Sequence, residues 1–136
     1  MGDPMTDRTY VVPESQQRNW DRFHFAPAVI DETGTVWCSG VIGTEDDGSV
    51  SEDPPSQFRR AFANLATVLG EAGCGYGDVV DMTSFHVDLM DHIRAFMEAK
   101  DEVMTEPYPA WTAIGTTGLA IPGALVEVKV VARRPG

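Results

Sequence analysis

Two positions in the last third of the chain carry the clearest chemical potential. The segment Leu125-Val-Glu-Val-Lys-Val-Val-Ala-Arg alternates Val126, Val128 and Val130 with Glu127 and Lys129. That period of two predicts a strand with the valines on one face and Glu127 on the other. Upstream, Ala110-Trp-Thr-Ala-Ile-Gly also reads as extended. There Trp111, Ala113 and Gly115 share a face, because strand side chains two apart point the same way. A carboxylate on such a strand can serve as a general base or hold an attacking water. An indole beside it can stack on a flat ligand or face a cation through its π system. The two segments together predict adjacent strands whose common face presents Trp111 and Glu127 as walls of one cleft. Each residue also has a purely structural reading: Glu127 paired with Lys129 or with an arginine across an interface, and Trp111 as interface packing.

The remaining reactive side chains are less organised. Cys38 lies in an apolar run and Cys74 in Ala-Gly-Cys-Gly, without the spacing of a metal or redox pair, so free thiols are expected. His86 and Asp88 are two apart on a strand, but no third ligand follows at a recognisable spacing. His24, His86 and His92 are therefore expected to be hydrogen-bonded structural residues, with no metal and no cofactor.

Composition narrows the classes. At 136 residues with 43% hydrophobic and 23% charged content, the chain is expected to form one ordinary globular domain. Residues 1–8 are polar and expected to be flexible, leaving 9–134 as the domain. No run approaches the roughly 18 apolar residues of a membrane span, and the first residues lack an apolar signal core, so a cytoplasmic address is expected. A net charge of −11 argues against nucleic-acid or anionic-membrane partners, which require clustered Lys and Arg. Only the doublets Arg59-Arg60 and Arg133-Arg134 stand out, and both read as solvated positions.

Several elements must position the two candidate residues. Residues 9–12 predict a first strand. Residues 20–30 become extended around 25–30, and the turn Asp31-Glu-Thr-Gly leads to a strand over 35–43 ending at Gly40 and Gly43. Asp53 before Pro54-Pro55 predicts a capped helix whose buried stripe is Phe58, Ala61, Phe62, Leu65, Leu69 and Ala72, stopped by Gly70 and Gly73. Residues 78–88 predict another strand. A second helix, capped by Asp88 or Asp91, carries Ile93, Phe96, Met97, Val103 and Met104 on one face and ends at Pro107. The predicted fold class is α+β: a single domain with a five- to six-stranded mixed sheet and two helices on one face. Two helices cannot cover both faces. The uncovered one, expected to bear Trp111 and Glu127 with Leu125 and Val131, predicts a homo-oligomer with its site between subunits.

The order of elements resembles the RidA (YjgF, UK-type) family. So do Ser39-Gly-Val-Ile-Gly, Leu69-Gly-Glu-Ala-Gly-Cys, Val79-Val-Asp-Met-Thr-Ser-Phe-His-Val-Asp, and the closing Pro109-Ala and Leu125-Val-Glu-Val. The Tyr-Pro-x-Trp-Thr-Ala-Ile-Gly version is similar to its YjgH-type branch. The resemblance implies a chorismate-mutase-like fold, a homotrimer and small-molecule clefts between subunits. In characterised members it also implies deaminating hydrolysis of reactive imines and enamines. By the same resemblance, Glu127 would position the water and Ser39 with Gly40 would complete the pocket. Trp111 stands where an arginine grips the substrate carboxylate, Ala113 where a cysteine stands, and Phe25 where a tyrosine stands. Phe85 is a further expected contact.

The missing arginine has a measurable meaning. A two-pronged guanidinium–carboxylate contact is worth roughly 1.5–3 kcal/mol and fixes orientation. The expected substrate is therefore a small imine, enamine or related C–N compound other than an ordinary 2-imino acid. The alternative is a non-catalytic trimer that binds a small metabolite or acts as a chaperone-like scaffold. The family is often labelled an endoribonuclease, an activity this acidic chain is not expected to have.

Overall fold

Asp53 fixes the start of the longest element. In the computed structural model its side chain accepts the Ser56 amide at 3.2 Å and the Ser56 hydroxyl at 2.6 Å, and helix α2 (Pro54–Glu71) follows. Prolines at the first helical positions sacrifice no hydrogen bond, since those amides have no intrahelical acceptor. The expected stripe is buried: Phe58, Ala61, Phe62, Leu65, Leu69 and Ala72 all lie in the core. Gly70 sits inside the helix, and the chain turns at Gly73, whose φ of +80° favours glycine.

The structure describes residues 7–136 and the backbone of Gly2–Asp3. Eight strands form one sheet: β1 (Gly2–Asp3), β2 (Arg8–Val11), β3 (Ala28–Ile30), β4 (Thr35–Cys38), β5 (Val41–Ile42), β6 (Val79–Val87), β7 (Ala110–Thr116) and β8 (Val126–Arg133). Their order is β1-β2-β3-β4-β8-β6-β7, with β5 also paired to β8. All pairs are antiparallel except β6 with β7. The sheet is thus mixed, as expected, but has more than five or six strands. The extra ones are two-residue pieces too short for any periodicity to announce. The expected flexible tail falls largely outside the described residues; within it, Gly2–Asp3 pairs with Arg8 and Thr9.

Helix α3 (Leu89–Val103) packs beside α2 on one face of the sheet. Asp88 is its N-cap, although that residue's side chain makes no capping bond. Phe96 and Met104 are buried, whereas Met97 is exposed. A third helix, α1 (Gln17–Asp21), occupies chain that was expected to lead into extended structure. With five residues it is too short to show an amphipathic stripe. Between the helices and the sheet lie Val126, Val128, Val130, Met82, Phe58, Phe62 and Phe96, all nearly inaccessible.

Buried polar groups tie α2 to the strands. Gln57 is fully buried and bonds three backbone groups: Ser51 O at 3.0 Å, Gly123 O at 3.2 Å and the Leu125 amide at 2.6 Å. Asn64 donates to Ile42 O and Thr44 O at 2.9 Å each. Gly43 permits this approach, because a Cβ there would overlap the main-chain carbonyl of Gln57.

Among the described residues no helix packs over the opposite sheet face. Trp37 is 52% exposed there, with Val29 and Val131 as its cross-strand neighbours. Its indole N–H donates to Asp31 at 2.9 Å. The Thr33 hydroxyl, with this indole second, holds the Asp31 carboxyl down at about 2. Ile114 and the half-buried Phe85 continue the apolar surface toward the β7 edge.

Candidate functional site: a glutamate against a glycine in an open pocket

Glu127 leaves β8 between Ile42 of β5 on one side and Phe85 of β6 on the other. Its carboxylate rests on Gly40: a Cβ at that position would stand 2.6 Å from Glu127 Cδ and 2.7 Å from Oε2. Only a residue without a side chain lets the carboxylate reach this place. Around it opens a pocket of about 980 Å³, walled by Arg18, Phe23, Phe25, Asn64, Ile121 and others. That volume suits a small organic ligand.

Local hydrogen bonds set the aromatic wall. The Phe25 amide donates to Asn19 O at 3.1 Å, so the short α1 fixes where the ring emerges. Ser39 donates its hydroxyl to Ala26 O at 2.7 Å and its amide to Pro27 O at 2.9 Å, clamping the next two residues against β4. Ser39 therefore holds the segment between Phe25 and β3, and it is Gly40 that meets the carboxylate. Phe25 is 40% exposed, available to a ligand.

The structure does not bring Trp111 to this pocket. Strand β6 lies between β7 and β8, so the last two long strands are not adjacent. The parallel β6–β7 register sets Trp111 beside Met82 and Ala113 beside Ser84, both on the helix side. Phe85, opposite Glu127, lies on the open face. The expectation that Trp111 and Glu127 share one face is thus overturned. Alternation fixes faces within a strand, and strand order decides how two strands are phased.

Beneath α3, Trp111 enters a buried polar chain. Its indole N–H donates to Ser84 Oγ at 2.8 Å, and that oxygen lies 2.7 Å from His86 Nε2. The Ser84 hydroxyl, with one donor proton and two lone pairs, thus bridges the indole and the imidazole. Phe96 stands edge-on to His86 at 4.7 Å, and Lys100 sits 5.2 Å above the Trp111 ring. His86 is 1% exposed, and burial pushes its pKa down to about 4.

This histidine makes stability pH-dependent in a defined window. Its folded pKa lies below the ordinary 6.5, so the unfolded chain binds a proton first as pH falls. The contribution is complete above about pH 6.5 and is lost as pH falls toward 4. Urea unfolding at pH 7 and pH 4.5 is expected to differ by about 2 kcal/mol from this residue, and His86→Gln is expected to flatten that slope.

Burial favours the protonated form of both thiols. Cys38 is buried and Cys74 half-buried, and both are free. Burial, with a smaller repulsion from Cys74, raises the Cys38 thiol to about 12. Among the described residues no three His, Cys, Asp or Glu side chains cluster as metal ligands. No helix among them is long and apolar enough to cross a membrane.

Arg18, Phe23 and Asn64 belong to the pocket yet were not singled out from the sequence. Asn64 sits within an evident helix, but its role depends on the neighbouring β5 edge. Arg18 and Phe23 sit in or just after α1, which leaves no periodic signal.

Comparison with known proteins agrees with this fold. Residues 21–134 match the family model described as Endoribonuclease L-PSP. The chain is 38% identical over 132 residues to RutC family protein YjgH of Escherichia coli (strain K12), covering 96% of this chain and 98% of that one. It is 33% identical over 100 residues to RutC family protein UK114 of Drosophila melanogaster, covering 72% and 71%. A solved structure described as protein YJGH superposes with a TM-score of 0.85 at 37% identity, over 95% of this chain and 98% of the other. With the matching family model, these identities and the shared α+β fold together, the chain belongs to the endoribonuclease L-PSP (RidA/YjgF) family as a YjgH-like member.

Proposed function

We propose that this protein hydrolyses the carbon–nitrogen bond of a small imine, or of the enamine that tautomerises to it. The observation that carries the reading is the Glu127 carboxylate seated on Gly40 in a pocket walled by Phe25. Water held by Glu127 adds to the imine carbon as the carboxylate takes its proton. That proton passes to nitrogen to give a carbinolamine; Glu127 then carries the carbinolamine O–H proton to nitrogen as the C–N bond breaks, and a carbonyl compound and ammonia leave. The Gly40 amide assists by donating toward the developing charge.

Ordinary 2-imino acids are poor substrates in this reading. Trp111 replaces the guanidinium that the resemblance implies, and its N–H is already committed to Ser84. The acidic charge of −11 supports a small-molecule role over a nuclease one.

The exposed apolar face around Trp37, Val131 and Phe85 supports a homotrimer whose subunits cover it, with neighbouring chains narrowing the pocket mouth. Light scattering is expected to give a mass of three chains, and a stable monomer would contradict this arrangement. The activity test is ammonia release from imines generated in situ from amines and from amino acids. Release from the carboxylate-free imines is expected to exceed release from the 2-imino acids. Ligand binding without any ammonia release would instead favour a non-catalytic binding member.

A further inference from the structure

The pocket that holds Glu127 is lined by two guanidinium groups, and only one of them is occupied. Arg60 is taken up by its own protein: it contacts Glu45 at 3.4 Å and Asp46 at 3.2 Å and donates to Thr44 O at 3.1 Å. Arg18 is different. Its guanidinium lies 5.9 Å from the Phe23 ring centroid and beside Gly48, where a Cβ would come within 3.4 Å of the terminal nitrogen. Among the described residues no carboxylate pairs with it.

Arg18 is also placed by the framework that places the aromatic wall. It lies in α1, where its carbonyl accepts the Arg22 amide at 2.8 Å, and the adjacent Asn19 carbonyl holds the Phe25 amide. One short helix therefore sets both the cation and the ring. Stacking on Phe23 limits the side-chain freedom that an anion would otherwise have to quench. Glu45 and Asp46 share the single Arg60, so the wall as a whole carries one more anion than cation, and two charges of opposite sign stand outside that cluster. They are Glu127 against Gly40 and Arg18 against Gly48.

Resting on the hydrolytic reading above, we infer that Arg18 is the anion-binding residue of this pocket. Its substrates then carry a carboxylate or similar anion separated from the C–N group that Glu127 attends. A guanidinium can take such an oxyanion through two parallel N–H donors. Such a site lets the protein take an acid although position 111 holds an indole. It also separates its substrates from 2-imino acids, whose carboxylate is bonded directly to the reacting carbon.

The test uses the full-length protein and three probes: butyrate, butylamine and 4-aminobutyrate, followed by amide chemical shifts. Butyrate is expected to move the Gly48 amide, and 4-aminobutyrate to move those of Gly48 and Gly40. In Arg18→Gln the affinity for butyrate is expected to fall roughly 10- to 100-fold, and in Arg18→Lys to fall less, since charge remains but the fork is lost. Circular dichroism is expected to be unchanged, as Arg18 is exposed. Butyrate binding that is absent from wild type, misses Gly48, or is the same in Arg18→Gln overturns the assignment. The underlying reading fails separately. If wild type releases no ammonia from any imine yet binds butyrate through Arg18, hydrolysis falls and the anion site stands. If ammonia release depends on Glu127 while butyrate ignores Arg18, the reverse holds.

Discussion

Glu127→Gln is expected to lower ammonia release from imines by about 100-fold or more while leaving the urea unfolding midpoint almost unchanged. Glutamine has nearly the same shape, so it fits against Gly40 and keeps the pocket filled. What it loses is the ability to take a proton from water, and general-base contributions of this kind are worth roughly 10²–10⁴ in rate. The companion variant Gly40→Ala keeps the carboxylate but moves it. Its methyl would stand 2.6 to 2.8 Å from Glu127 Cδ, Oε2 and Cγ, all atoms of a flexible side chain that can swing away. Gly40→Ala is therefore expected to fold normally and to lose much of the same activity. Full activity in both variants would remove Glu127 from the mechanism.

The largest stability loss is expected from Gly43→Ala, about 3 kcal/mol in urea unfolding. Here the added methyl overlaps the Gln57 carbonyl and lies 3.1 Å from the Ala61 amide nitrogen. Both are main-chain atoms of α2, so no rotamer change relieves the clash. The helix must lift from β5, which strains the Asn64 bonds to Ile42 and Thr44 and the Gln57 bonds to Ser51, Gly123 and Leu125. A control at Gly77, where an added Cβ would meet nothing within 4 Å, is expected to change stability by no more than about 0.5 kcal/mol. Equal unfolding curves for Gly43→Ala and wild type would mean that the α2 backbone does not rest against Gly43.

The two variants separate what Gly40 and Gly43 do, which their similar sequence setting does not. Both end an apolar run, and both signal a close approach. At Gly40 the approaching group is a side chain that can serve chemistry. At Gly43 it is a helix backbone that serves the fold.

Much of the architecture was legible in local pattern. The alternation of Val126, Val128 and Val130 announced β8, and all three are buried. The Asp53-Pro-Pro start and the Phe58-to-Ala72 stripe announced α2 and its buried face. The free thiols and the hydrogen-bonded His86 also followed from spacing alone. In each case one short stretch of chain contains all the information, because burial of a face imposes its own period.

Pairing between distant stretches was decided only in three dimensions. The sequence determined that Glu127 faces away from the valines of its strand and that Trp111 and Ala113 point together. It did not determine that β6 slots between their strands, with Trp111 beside Met82 on the helix side and Glu127 opposite Phe85 on the bare side. Nor did it reveal that a five-residue helix would set Arg18 on the wall of the Glu127 pocket. The physical reason is that side-chain alternation is a property of one strand. The relative phase of two strands depends on order and register, where a shift of a single residue exchanges the faces.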